Sequence, residues 1–176
     1  VAGGQGTMQG RPRENADDWT PGFGRPWDAM ADVALNGADG SSISHTGAIA
    51  VTVAARADML PMLRSVVETV LLTADFTLDV VTDVRVAIDE VATALVVAAE
   101  VGAEIACALR YDLRRVEVRI SALTHTPDVL PENSLSRHLL ESMVNQLSIT
   151  YRTSEQLEAY RMVVRFGCDR TIHQGW

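Results

Sequence analysis

The sequence predicts a two-layer α+β sandwich, a mainly antiparallel sheet covered on one face by three helices. Three observations predict it. Residues 77–100 place apolar side chains at spacings of three and four, as one long amphipathic helix does. Residues 104–121 alternate apolar and polar residues around a short turn, as a hairpin with one buried face does. The elements follow in the order strand, helix, helix, strand, strand, helix, strand, strand, which fits helices gathered on one face of an antiparallel sheet.

The folded part is expected to begin near Gly47. Residues 48–54 are rich in β-branched side chains and read as a strand. Residues 56–72 read as a helix with Leu60, Leu63, Val67 and Val70 on one face, and Pro61 suits its first turn. The long helix follows, with Leu78, Val81, Val84, Ile88, Val91 and Leu95 on its apolar face. Thr77 can cap its start, and Gly102 lies just past its end. Residues 104–110 and 115–121 form the hairpin, with Val116, Val118 and Ile120 inward and Arg115, Glu117 and Arg119 outward. Residues 122–131 read as a loop. Asn133 or Ser134 can cap a helix running to about Gln146, with Leu135, Leu139, Met143 and Leu147 on one side. Two strands, 147–151 and 158–166, close the chain around a turn at Glu155 and Gln156, and a polar tail follows from Cys168.

Residues 1–46 differ from the rest. Of twelve glycines eight fall before residue 46, a density that builds neither helix nor packed strand, so this part is expected to be a flexible Gly/Pro-rich extension. Within it, residues 27–35 can form a short helix with an apolar side. The domain is expected at 47–168, with a C-terminal tail at 169–176.

The net charge is −8, and all fifteen basic residues are arginine. That balance argues against nucleic acid as a general partner and fits a basic protein surface. Without lysine there is no phosphate-loop Gly-Lys-Ser/Thr motif. No apolar run is long enough to span a membrane, and no signal peptide is visible, so a cytoplasmic protein is expected. Cys107 and Cys168 have no metal spacing, and Cys107 lies in an apolar strand-like run. His125, Asp128, Glu132 and His138 are close in sequence at a spacing that matches no standard metal motif. Ser134, Ser136 and Ser142 lack the glycines of a nucleophile elbow. Asp89 and Glu90 stand out as two acids in a nearly apolar helix, where a carboxylate needs water, a partner or a role. Either they sit on a solvated helix face or Glu90 faces a ligand cleft.

Two segments carry a resemblance to a known family. Asp83-Val84-Arg85-Val86-Ala87-Ile88-Asp89-Glu90-Val91-Ala92-Thr93 is similar to the second-helix motif of the histidine kinase-like (GHKL) ATPase superfamily, in its small bacterial anti-sigma-factor kinase branch. Leu139-Leu140-Glu141-Ser142-Met143-Val144 is similar to that family's helix after the nucleotide lid. The resemblance covers roughly residues 48–167 and implies the histidine kinase-like ATPase fold.

In the family, the helix glutamate polarises the attacking hydroxyl or water, and Glu90 matches it. An asparagine one turn later ligates magnesium; here that position is Ala94, whose methyl group offers no oxygen donor. The family's Asp-x-Gly-x-Gly loop corresponds to residues 121–126, which hold neither aspartate nor glycine. The later Gly-x-Gly of the lid corresponds best to Ser134-Leu135-Ser136, with Ser134 and Ser136 as degenerate nucleotide-binding positions. A carboxylate facing phosphates without its magnesium ligand repels them.

The resemblance therefore implies a degenerate, actinobacterial-type member that is not catalytically active and works as an anti-sigma factor. It would sequester an alternative RNA polymerase sigma factor in transcription regulation of a stress response. An anti-anti-sigma (STAS-type) protein would release it. The family implies a homodimer, while the acidic balance and the lack of a long apolar run lead to the expectation of no direct nucleic-acid contact and no membrane. No cofactor is expected, with Mg-ATP only where nucleotide binding is retained. The alternatives are an active ATP-dependent serine/threonine kinase of the antagonist, with Glu90 as general base, and a non-catalytic regulator of another partner.

Overall fold

The computed structural model describes residues 46–154 and 158–170. The chain runs β1 (Gly47–Ala54), a 3-10 turn at Ala57–Met59, α1 (Leu60–Thr73), α2 (Leu78–Ala98), β2 (Glu104–Tyr111), β3 (Arg115–Thr124), α3 (Leu135–Met143), β4 (Asn145–Ser154) and β5 (Ala159–Asp169). The five strands form one sheet in the order β1-β2-β3-β5-β4. Every neighbouring pair is antiparallel. The architecture of the described residues is thus an α+β fold of a five-stranded antiparallel sheet and three α-helices, consistent with two layers.

The core lies between α2 and one face of the sheet. Val84, Ala87, Ile88, Val91 and Leu95 of α2 are each 0 % exposed. They meet the inward positions of the strands, among them Ile105, Leu109, Val116, Ile120 and Val164. The period of 3.6 in the helix and of 2 in the strands lets both present a continuous apolar surface. Helix α1 lies beside α2 and buries Leu60, Leu63, Val67 and Leu71.

Several boundaries and faces differ from expectation. The first helix splits into a 3-10 turn and α1, and its buried stripe ends at Leu71, with Val70 half-exposed. Leu78 opens α2 but is 72 % exposed, because it points away from the buried stripe to which Val80 and Val81 of the same turn belong. Thr77 sits at the N-cap with an extended backbone, yet its side chain makes no capping bond and its Oγ1 is buried without a partner. Helix α2 stops at Ala98, and Gly102, with φ of +77°, makes the turn into β2. Strand β3 runs on to Thr124, three residues into the expected loop.

The largest difference is α3. It ends at Met143, and Asn145 and Gln146 already belong to β4, where Gln146 takes a φ of +55° beside a register shift. Its buried residue is Leu140, while Leu135 is 85 % exposed and Leu139 is exposed. Leu147 lies in β4. The helix is rotated by about one residue, roughly 100°, from the face its leucines suggest.

The C-terminal end is also more structured than a polar tail from Cys168 implies. Cys168 is buried in β5, and Arg170 donates to the carbonyls of Ala74 at 2.7 Å and Asp75 at 3.2 Å. Its guanidinium lies 4.2 Å above the Phe76 ring, so it holds the α1–α2 connection by hydrogen bonds and a cation–π contact. The expected helix at 27–35 and the turn residues Glu155 and Gln156 lie outside the described residues.

Candidate functional site

Glu90 lies midway along α2, half-buried between apolar neighbours. A carboxylate there has to be hydrated or hydrogen-bonded. Its partner comes from α3: the Ser136 hydroxyl donates to Glu90 Oε2 at 2.7 Å. That distance is typical of a charge-assisted O–H···O⁻ bond. The fold therefore brings together two of the residues singled out in the sequence, 46 positions apart.

Ser134 acts differently. It is the N-cap of α3, with its Oγ accepting from the Arg137 amide at 3.1 Å and donating to the Pro131 carbonyl at 2.8 Å. A serine at this position satisfies an otherwise orphaned helix amide. The capping places the first turn of α3 so that Ser136 and Leu140, one turn apart, share the inward face. Leu140 anchors that face in the core, and Ser136 reaches Glu90. His138 lies on the exposed side, with Nδ1 2.9 Å from the Ser134 carbonyl, which makes Nδ1 the protonated nitrogen.

Ala94 stands one turn beyond Glu90 and is packed in part against the core. Asp89 points the other way, toward α1, where it pairs with Arg64 at 3.3 Å. A second pair, Arg85 with Glu68 at 3.5 Å, crosses the same groove. Both are solvent-facing and contribute little, about 0–1 kcal/mol each. The two neighbouring acids thus have separate environments, one in a surface ion pair and one in a buried-side hydrogen bond.

The stretch after the hairpin is held by backbone pairing. Thr124 is fully buried, and its hydroxyl lies 2.8 Å from the Thr126 carbonyl and 3.2 Å from the Tyr160 carbonyl. His125 N donates to Ala98 O, and Glu100 N donates to Leu123 O, both at 3.0 Å. Sequence reading missed this clamp between the end of α2 and the end of β3. The signal was present: Ala122 and Thr124 continue the inward alternation of Val116, Val118 and Ile120.

The cysteines are remote from Glu90 in role. Burial pushes the Cys107 thiol up to about 12, and burial followed by Asp83 and Asp169 pushes Cys168 up to about 12. Cys107 pairs with Ile120 and Cys168 with Val116, four residues apart along β3, or roughly 13 Å. That separation exceeds disulfide reach. Among the described residues no three His, Cys, Asp or Glu side chains gather in a metal-ligating cluster. No helix among them is long and apolar enough to cross a membrane.

Comparison with protein-family models and with curated proteins gave no match to this chain.

Proposed function

We propose that this chain is a degenerate member of the GHKL ATPase superfamily that acts as a protein-binding anti-sigma factor rather than as a kinase. The order of elements, and the position of Glu90 within the long second helix, support the family reading. The observation that carries the functional reading is the Ser136–Glu90 hydrogen bond. It engages the carboxylate that the family turns toward its attacking nucleophile. The residues present do not fit Mg-ATP. Ala94 offers no oxygen to a magnesium ion, and the lid serines are used in capping α3 and in binding Glu90. The stretch at 121–126, which would meet the adenine, continues a strand and is bonded to the end of α2.

On this reading the domain binds an alternative sigma factor and is released by an anti-anti-sigma protein, and a homodimer is its expected state. The test has two arms. In a thermal-shift titration, millimolar Mg-ATP or Mg-ADP leaves the melting temperature unchanged, since only a ligand of the folded state raises it. A saturable rise overturns the degenerate reading and puts the active kinase first. In pull-downs across growth phases the tagged chain captures a sigma factor, and consistent failure to do so overturns the anti-sigma assignment.

A further inference from the structure

We propose that the outer edge of β1 pairs with β1 of a second copy of this chain, antiparallel across a two-fold axis at Ala50, so that two sheets join into one. Such a dimer deepens the function proposed for the chain and rests on it only in expecting two copies; its surface is read from the sheet alone.

The sheet has two edges, β1 and β4, and they differ in chemistry. Solvent-facing edges are blunted by bulges, charges or very short strands, because a bare row of N–H and C=O groups invites another strand. Edge β4 carries such devices. Its register against β5 shifts between Asn145 and Ser148, Gln146 takes a φ of +55°, and Arg152 adds a charge. Edge β1, Gly47–Ala54, carries none. Its eight residues include no charged side chain and no proline, and they pair with β2 from Gly47 to Ala54 without a shift.

The direction of the backbone groups follows from the ladder. The Ala55 amide donates to the Ala103 carbonyl at 2.9 Å, one step past the Ala54–Glu104 pair. Bonded and non-bonded pairs alternate along an antiparallel ladder. Ile49 and Val51 therefore exchange hydrogen bonds with β2, while the N–H and C=O groups of Ala48, Ala50 and Thr52 point outward. Among the described residues no strand pairs with that edge. The outward side chains at 48 and 50 are methyl groups, so nothing bulky obstructs the approach of another strand.

A copy of β1 fits this edge. The whole chain carries a net charge of −8, which opposes self-association, yet β1 brings no charge to a contact with itself. A two-fold axis at Ala50 sets Ala50 opposite its own copy and Ala48 opposite Thr52, so the outward groups of all three residues bond across the axis. Ile49 then faces Val51 of the second copy. Both side chains pack against the core yet stay half-buried, and a neighbouring strand covers the side they leave open. A charged strand of a different protein would find no countercharge on β1 and gains nothing from this neutrality.

The test is sedimentation equilibrium of the full chain over a concentration series, with amide hydrogen exchange at its two ends. The expected result is a reversible dimer in which the Ala48, Ala50 and Thr52 amides slow as the dimer fills, while those of Ile49 and Val51 are slow throughout. Ala50→Pro removes an outward N–H and leaves the β2 ladder intact, so it weakens dimerisation at least tenfold. Should that variant fail to fold, Ala50→Lys sets like charges face to face on the axis and weakens the dimer equally. Thr153→Lys, on the β4 edge, leaves it unchanged. A monomer at every concentration overturns the proposal, as does a dimer that keeps these three amides fast or survives Ala50→Lys. Protection of the three amides that ignores concentration also overturns it, since a segment of the same chain then covers the edge. Nucleotide binding, or failure to capture a sigma factor, refutes the functional reading and leaves these outcomes unaltered.

Discussion

Replacing Ser136 by alanine removes one hydroxyl from the contact between α2 and α3 and leaves Glu90 Oε2 without that donor. A hydrogen bond to a charged group is worth about 1.5–3 kcal/mol where water is excluded. Both side chains here are half-buried, so water replaces part of it, and the expected loss is about 1 kcal/mol. For a folded unit of this size that lowers the melting temperature by about 3–5 °C. The Leu140 anchor is untouched, so the variant folds. The informative measurement is a double-mutant cycle of Ser136→Ala and Glu90→Ala in urea unfolding, with hydrogen exchange of the α3 amides as the local readout. Coupling of about 0.5–1 kcal/mol is expected, together with faster exchange in α3. Additive effects, with coupling below about 0.3 kcal/mol and unchanged exchange, would refute the contact as the link between the two helices.

Three further outcomes are expected. Leu140→Ala, at a fully buried position, costs about 2–5 kcal/mol, whereas Leu135→Ala on the exposed side stays within about 0.5 kcal/mol; denaturant titration of both separates the observed helix face from the one its leucines suggest. Neither thiol reacts with a disulfide reagent in the native protein at pH 8, and both react in urea; because both folded pKa values are raised, the stability they confer is present below the unfolded value of about 8.5 and lost as pH climbs toward 12, which melting curves in alkaline buffers report. The Asp112 carboxylate accepts from the Arg114 and Arg115 amides, which hold its pKa below the usual range; Asp112→Ala therefore melts lower than wild type at neutral pH, and the gap closes as pH falls below about 3.9 and through the depressed native value.

The elements themselves were legible in the sequence because their signals are local. The inward alternation of Val116, Val118 and Ile120, and the spacing of Val84, Ile88, Val91 and Leu95, each state a period that any core must respect. Glu90 was legible as well, since a carboxylate in an apolar helix demands an explanation. The face of α3 was not. Its leucines fall at 135, 139 and 140, so two adjacent faces compete, and a rotation of one residue chooses between them. The sheet and α2 made the choice by admitting Leu140 and Ser136.

What the sequence determined alone is therefore the kind and order of the elements and the identity of the residues with chemistry. The tertiary structure decided which of those residues meet. Ser136 and Glu90 are 46 positions apart, and so are the facing Arg119 and Arg165. Neither pairing follows from a local period. Each depends on long-range register, and a slip of one residue in β5 would turn its arginines from the outward face of the sheet into the core.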